Sequence, residues 1–285
     1  MNLDDAETAF RAVPTRDLAR AAAVLGACAL APSLAARSDT LLASSRAAFG
    51  RGLVDAVARA TFFEHFCAGE TADAAARVAA PALAAAGVRA ILNYAGEDAT
   101  AAEVAEGRGG GVEAVAAAGE ASRDGAAAAF AALIALSDTS PSTTPAVVAL
   151  KVTALFPPDA LEAGSAAIAA AGGFRACGDP ASTARAGLAE AGGWDAGVAR
   201  LHSLLAAARA KGDCRVIVDA EHTHVQPAIA ALALDLMRRE NGPGASPLVL
   251  ETFQCYLTET PARLADFGDR ARAEGCGKRR RGEWG

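Results

Sequence analysis

Val147-Val148-Ala149-Leu150-Lys151-Val152-Thr153-Ala154-Leu155 is an almost unbroken apolar run with a single charge in it. Such a run reads as a strand buried on both faces of a parallel sheet. A lysine inside that strand must be desolvated or paired, or must reach for the strand's end. Aimed into the mouth of a sheet, Lys151 can meet an anion or form a Schiff base.

Three further runs of strand type surround it: Val88–Tyr94, Arg215–Asp219 and Leu248–Tyr256. Helical stretches separate them. Ala99–Leu136 is alanine-rich and broken at Gly109-Gly110-Gly111. Ala160–Ala210 is interrupted by a Gly/Ser/Thr/Asp-rich loop at Gly172–Ser182, whose composition predicts a surface insertion. Pro227–Arg239 and Pro261–Glu274 complete the series. Four alternations of strand and helix predict right-handed β-α units and one parallel sheet, an α/β fold. Four units are half of an eight-stranded β/α (TIM-like) barrel, a fold that takes about 250 residues when whole. Asp17–Ala60 reads as helices with short breaks, and Ala72–Ala86 as another helix capped by Gly87. The expected parts are an N-terminal helical segment (1–86), a partial β/α barrel (87–275) and a divergent basic tail (276–285).

Composition narrows the function. Of 285 residues, 52% are hydrophobic, enough for a large core, although much of that share is alanine, which buries little area. A net charge of −6 argues against a nucleic-acid binder. The six cysteines have no C-x-x-C spacing and read as reduced, small buried hydrophobes. Leu18–Ala36, the most apolar N-terminal stretch, contains Arg20 and Pro32 and reads as a packed helix, not a membrane span. The acidic start, Met1–Glu7, is unlike a signal peptide or presequence. Neither a P-loop nor a Gly-x-Gly-x-x-Gly turn after a strand is present.

Polar residues at the strand ends are the candidates for chemistry. Asp219 closes the third run, and a carboxylate at the C-terminal end of a barrel strand points at the usual active-site face. Lys151 and Asp219, on consecutive strands, are placed to pair. Glu221 is expected in the first turn of the following helix. Gln254, inside the fourth apolar run, needs a polar partner with donor and acceptor edges, such as a flavin pyrimidine ring or a neighbouring side chain. His222 and His224 lie outside any H-E-x-x-H pattern, and no metal is expected.

Five motifs bring these residues together: His65–Glu70, Leu92–Glu97, Leu150–Leu155, Val218–Glu221 with Gln226–Ile229, and Phe253–Leu257. In this order the chain resembles the proline dehydrogenases, in particular the mitochondrial plant and green-algal type, over about residues 3–275. The resemblance implies a distorted β/α barrel with FAD at the C-terminal strand ends. It implies oxidation of L-proline to Δ1-pyrroline-5-carboxylate by hydride transfer to the flavin, with electrons passed to a quinone. It also implies a mitochondrial location with peripheral association with the inner membrane, despite the acidic start.

Carried over by position, Lys151 meets the proline carboxylate. Asp219 takes the catalytic position that orients this lysine and a later arginine. Ala220 lies against the cofactor, Gln254 bonds the flavin ring, and Glu97 pairs with a substrate-binding arginine. Two departures stand out. Asn93 replaces the usual aspartate, and Cys276–Gly285 does not continue into the family's arginine-bearing fifth strand. The alternative expectation is a C-terminally truncated, catalytically inactive remnant or gene-model fragment of the enzyme.

Overall fold

The computed structural model describes residues 5–11, 13–76, 83, 88, 90–94, 112–137, 145–187, 193–242 and 246–273. Glu97, the glycine break at 109–111, most of the helix expected over 72–86, and the tail 276–285 lie outside them. The chain divides into two compact units, Met1–Arg89 and Ala90–Gly285.

The first unit is helical: α1 (Ala6–Phe10), α2 (Thr15–Leu30), α3 (Pro32–Ala35), α4 (Ser38–Phe49), α5 (Arg51–Ala58) and α6 (Glu64–Phe66). Proline punctuates it, since Pro14 precedes α2 and Pro32 opens α3 with a preset φ. Gly50 joins α4 to α5 at φ 83°, a conformation that favours glycine. Arg46 pairs with Asp55 across that turn at 2.7 Å, and Arg20 of α2 reaches Glu64 of α6 at 2.7 Å. The apolar Leu18–Ala36 stretch is folded as α2 and α3, with Val24 buried. Among the described residues no helix is long and apolar enough to cross a membrane.

The second unit alternates strand and helix. Its order is β1 (Ile91–Asn93), α7 (Val112–Leu136), β2 (Ala146–Leu150), a 3-10 turn (Val152–Ala154), α8 (Pro158–Ala170), α9 (Pro180–Ala186), α10 (Trp194–Lys211), β3 (Cys214–Val218), α11 (Gln226–Glu240), β4 (Val249–Glu251) and α12 (Thr260–Ala273). All pairings are parallel, in the order β1-β2-β3-β4. The α/β expectation holds.

Register sorts the side chains by face. Leu92, Val148, Val216 and Val249 lie in one row, and Leu150, Val218 and Glu251 in the next on the same face. The apolar members of both rows are buried beneath the helices, each worth about 2 kcal/mol of transfer free energy. The opposite face, with Ile91, Val147, Ile217 and Leu250, is less covered.

Several strand and loop expectations need correction. β2 ends at Leu150, so Lys151 follows the strand instead of sitting inside it. The chain turns there because Phe156, fully buried, must reach Trp194 edge-to-face at 5.2 Å between ring centroids. Gly197 of α10 leaves room for that ring, since a Cβ there would stand 2.6 Å from it. β4 is three residues long, and Gln254 lies in the turn after it. Gly172–Ser182 is not a surface insertion throughout, because Cys177 and Pro180 are buried. The described cysteines are all free, but Cys67 and Cys255 are exposed, contrary to the expectation of burial.

Candidate active site

The candidate residues lie at the C-terminal ends of β2, β3 and β4. Beyond the strands the parallel hydrogen bonding continues, with Asp219 N–H donating to Leu150 O at 3.0 Å and Thr252 N–H to Val218 O at 3.1 Å. Lys151 is extended, so alternation carries Lys151, Asp219 and Thr252 onto the less covered face, the two charged residues side by side. All three are half-buried. The Asp219 carboxylate also accepts the N–H of Ala220 at 3.0 Å, which fixes the turn out of β3.

Glu221 is at the centre of the local hydrogen bonding. The expected first-turn role is wrong, because α11 begins only at Gln226. Instead the Glu221 carboxylate crosses to β2's exit, accepting Thr153 N–H at 3.1 Å and the Thr153 hydroxyl. Its own N–H donates to Gln226 Oε1 at 2.7 Å, and its carbonyl accepts Gln254 Nε2 at 3.0 Å. Gln226 is buried at the start of α11, and Ser165 of α8 accepts the helix's Ala228 N–H at 3.1 Å. An otherwise unpaired first-turn donor is thereby satisfied.

Gln254 is held at both ends. Its backbone carbonyl accepts the Thr260 hydroxyl at 2.6 Å, and its side-chain amide nitrogen is committed to the Glu221 backbone carbonyl. Only the NH2 side of an amide can bond a carbonyl, so the orientation is set by that contact. Gln254 Oε1 is left sealed from solvent and without a partner among the described residues.

Glu251 is the residue that the sequence reading passed over. Its Oε2 is likewise sealed and unpartnered. Burial pushes this carboxyl well above the usual carboxylate range; Arg263 opposes the shift and the negative charge of Asp219 adds to it. The signal was legible, because Glu251 is a charge within an apolar run, as Lys151 is.

Behind β2's exit, Arg200 of α10 binds Leu155 O at 3.1 Å, Asp124 at 2.8 Å and Glu120. Arg123 adds a 2.8 Å bond to Glu120. Burial pushes the Glu120 carboxyl upward, but its bonds to the two guanidinium groups outweigh this and hold it below its ordinary value.

His222 and His224 stack at 5.6 Å, and His224 lies 3.5 Å from Glu162. No cluster of three or more metal-ligating side chains is found among the described residues. Glu97 is outside those residues.

Comparison with known proteins agrees on a single family. The family model described as Proline dehydrogenase matches residues 76–281. Proline dehydrogenase 1, mitochondrial, of Arabidopsis thaliana is 39% identical over 35% of this chain and 20% of its own length. Hydroxyproline dehydrogenase of Bos taurus is 30% identical over 92% of this chain and 58% of its own. The chain thus spans little more than half of the second protein and a fifth of the first. A crystal structure of Bradyrhizobium japonicum Proline Utilization A superposes with a TM-score of 0.41 at 18% identity, over 80% of this chain and 19% of that one.

Proposed function

The chain belongs to the proline dehydrogenase family, and on that premise we propose that it oxidises L-proline to Δ1-pyrroline-5-carboxylate with FAD as cofactor and a quinone as the final acceptor. The observation that carries the reading is the side-by-side placement of Lys151 and Asp219 on one face of the strand ends. In this reading the four strands are the first half of a β/α barrel. The protein is of the plant and green-algal type and works in the mitochondrion, at the inner membrane. Support for the location comes from the Arabidopsis relative, which is named mitochondrial.

The residues fit a flavin. Gln254 Oε1 is an acceptor sealed from water with its nitrogen already engaged, as an acceptor for a ring N–H would be. Ala220, one residue before the carbonyl that Gln254 binds, has no side chain beyond Cβ to fill the space a ring needs. FAD, when bound, supplies the acceptor for the hydride that leaves proline. Lys151 holds the substrate carboxylate by a charge-assisted bond, and Asp219 beside it aims the lysine.

The test is to purify the chain, measure its flavin content, and follow dye reduction on addition of L-proline or 4-hydroxy-L-proline. The second compound is included because a relative matched over most of the chain is named a hydroxyproline dehydrogenase. About one flavin per chain and proline-dependent reduction are expected. A chain with no flavin and no turnover of either compound would contradict the proposal and favour an inactive remnant.

A further inference from the structure

We propose that Glu221 is a positioning residue, a brace whose side chain sets Lys151 through Thr153 while its backbone sets Gln254. The inference rests on the reading of the strand ends as the proline and flavin site.

The 3-10 turn Val152–Ala154 follows β2 directly. Its N-cap is Lys151, which makes no side-chain capping bond. A turn of this kind leaves its first N–H groups without partners unless a side chain accepts them. Lysine is a donor only and cannot do so. The missing acceptor comes from 68 residues further along the chain, where Glu221 takes both the N–H and the hydroxyl of Thr153. Two bonds to one residue fix its backbone and its χ1 together, and Thr153 is two residues from Lys151. The β2 exit is thereby tied to the β3 exit at the place where Lys151 must hold its direction.

The other half of the brace does not use the side chain. Gln254 Nε2 binds the Glu221 carbonyl, and Gln226 Oε1 takes its N–H. The two functions of Glu221 are therefore separable by mutation. Removing the carboxylate cuts the link to β2 and leaves the link to β4. A residue that merely stabilised the fold would loosen both ends alike. One that took part in proton transfer would change the turnover rate and its pH profile and leave carboxylate affinity alone.

The experiment uses flavin-loaded full chain and tetrahydrofuran-2-carboxylate, which has proline's ring and carboxylate but no amine to oxidise. Glu221→Ala is expected to weaken binding of this probe about tenfold, or ~1.4 kcal/mol. The absorption bands of the ligand-free flavin, which report the Gln254 end, stay where they were. Thr153→Val weakens binding in the same direction. The double variant is no weaker than Glu221→Ala, because both changes cut one link. Glu221→Gln recovers affinity to within about threefold, since its amide can still accept the Thr153 N–H and can donate to the hydroxyl. In the protein without ligand, the Thr153 amide exchanges faster in Glu221→Ala.

Undiminished probe affinity in Glu221→Ala overturns the brace, as do losses that multiply in the double variant or flavin bands that shift along with the affinity. Should Glu221→Ala fail to fold, Thr153→Val, a swap of hydroxyl for methyl, decides on affinity and bands. An unmutated chain that binds neither flavin nor probe overturns the reading of the site and the brace with it. A brace that fails alone shows normal binding in both the unmutated and the Glu221→Ala proteins.

Discussion

The exits of β2 and β3 are tied by several side-chain hydrogen bonds, and the exit of β4 holds two sealed acceptors without partners among the described residues. At the first, Glu221 has its N–H, carbonyl and carboxylate all engaged, and Arg200 ties Leu155 O to two acids. At the second, Glu251 Oε2 and Gln254 Oε1 are sealed from solvent with no partner among the described residues. Buried acceptors without partners are costly, so two beside one short strand mark a place shaped for something other than stability. The bonded exits act as a frame, and at the exit of β4 the Gln254 Oε1 acceptor and, on the helix-covered face, the Glu251 Oε2 are left without partners among the described residues. Glu120 and Glu251 show the same contrast as titrating groups. Glu120, between two arginines, is held below its ordinary value, whereas Glu251 is pushed well above its own.

The largest break in this contrast comes from the frame. Phe156→Ala should cost about 4 kcal/mol, because it empties a fully buried site against Trp194 and Gly197. Thermal unfolding should show a Tm lower by about 10 °C. Next is Asn241→Ala. The buried Asn241 amide accepts Leu248 N–H at 2.9 Å and Val249 N–H at 3.0 Å, and donates to Val249 O at 2.8 Å, anchoring the start of β4. Its loss should cost ~2 kcal/mol, with hydrogen exchange rising in β4 before β2.

The smallest change sharpens the contrast. The folded-state pKa of Glu251 lies above its unfolded value, so its contribution to stability is complete below the ordinary carboxyl range. That contribution is lost as pH rises toward the raised value. Glu251→Gln should therefore raise Tm at pH 7 by about 3 °C and leave pH 4 nearly unchanged. Glu120 runs the other way. Its contribution is present above its ordinary value of 4.5 and is lost as pH falls through the lowered one. Glu120→Gln should lower Tm at neutral pH and flatten the acid limb.

The order of strands and helices was legible because apolar runs and glycine or proline breaks are local signals. Where each strand ends was not. Val147–Leu155 reads as one run, yet the ladder stops at Leu150 because Phe156 has a distant partner in α10. Gln254 was placed in a strand because an apolar run says nothing of Thr260, whose hydroxyl holds the Gln254 carbonyl in a turn. Asp219 was legible as a charge at a strand end and Lys151 as a charge inside an apolar run, and the structure, with Lys151 just past the strand, sets them side by side. Glu221 was misread because its partner, Thr153, is 68 residues away, and no local pattern encodes that contact. Glu251 carried the same signal as Lys151 and could have been singled out on the same ground.

The central claim is that the strand ends bind a flavin and that Lys151 holds the carboxylate of the compound it oxidises. Anaerobic titration of the flavin-loaded chain with L-proline tests this most directly, comparing the unmutated protein with Lys151→Met. Bleaching of the flavin absorbance by proline is predicted, with Lys151→Met needing about 100-fold more proline, or ~2.8 kcal/mol, for the loss of one charge-assisted contact. Flavin that proline leaves oxidised, or bleaching at the same concentrations in both proteins, would contradict it.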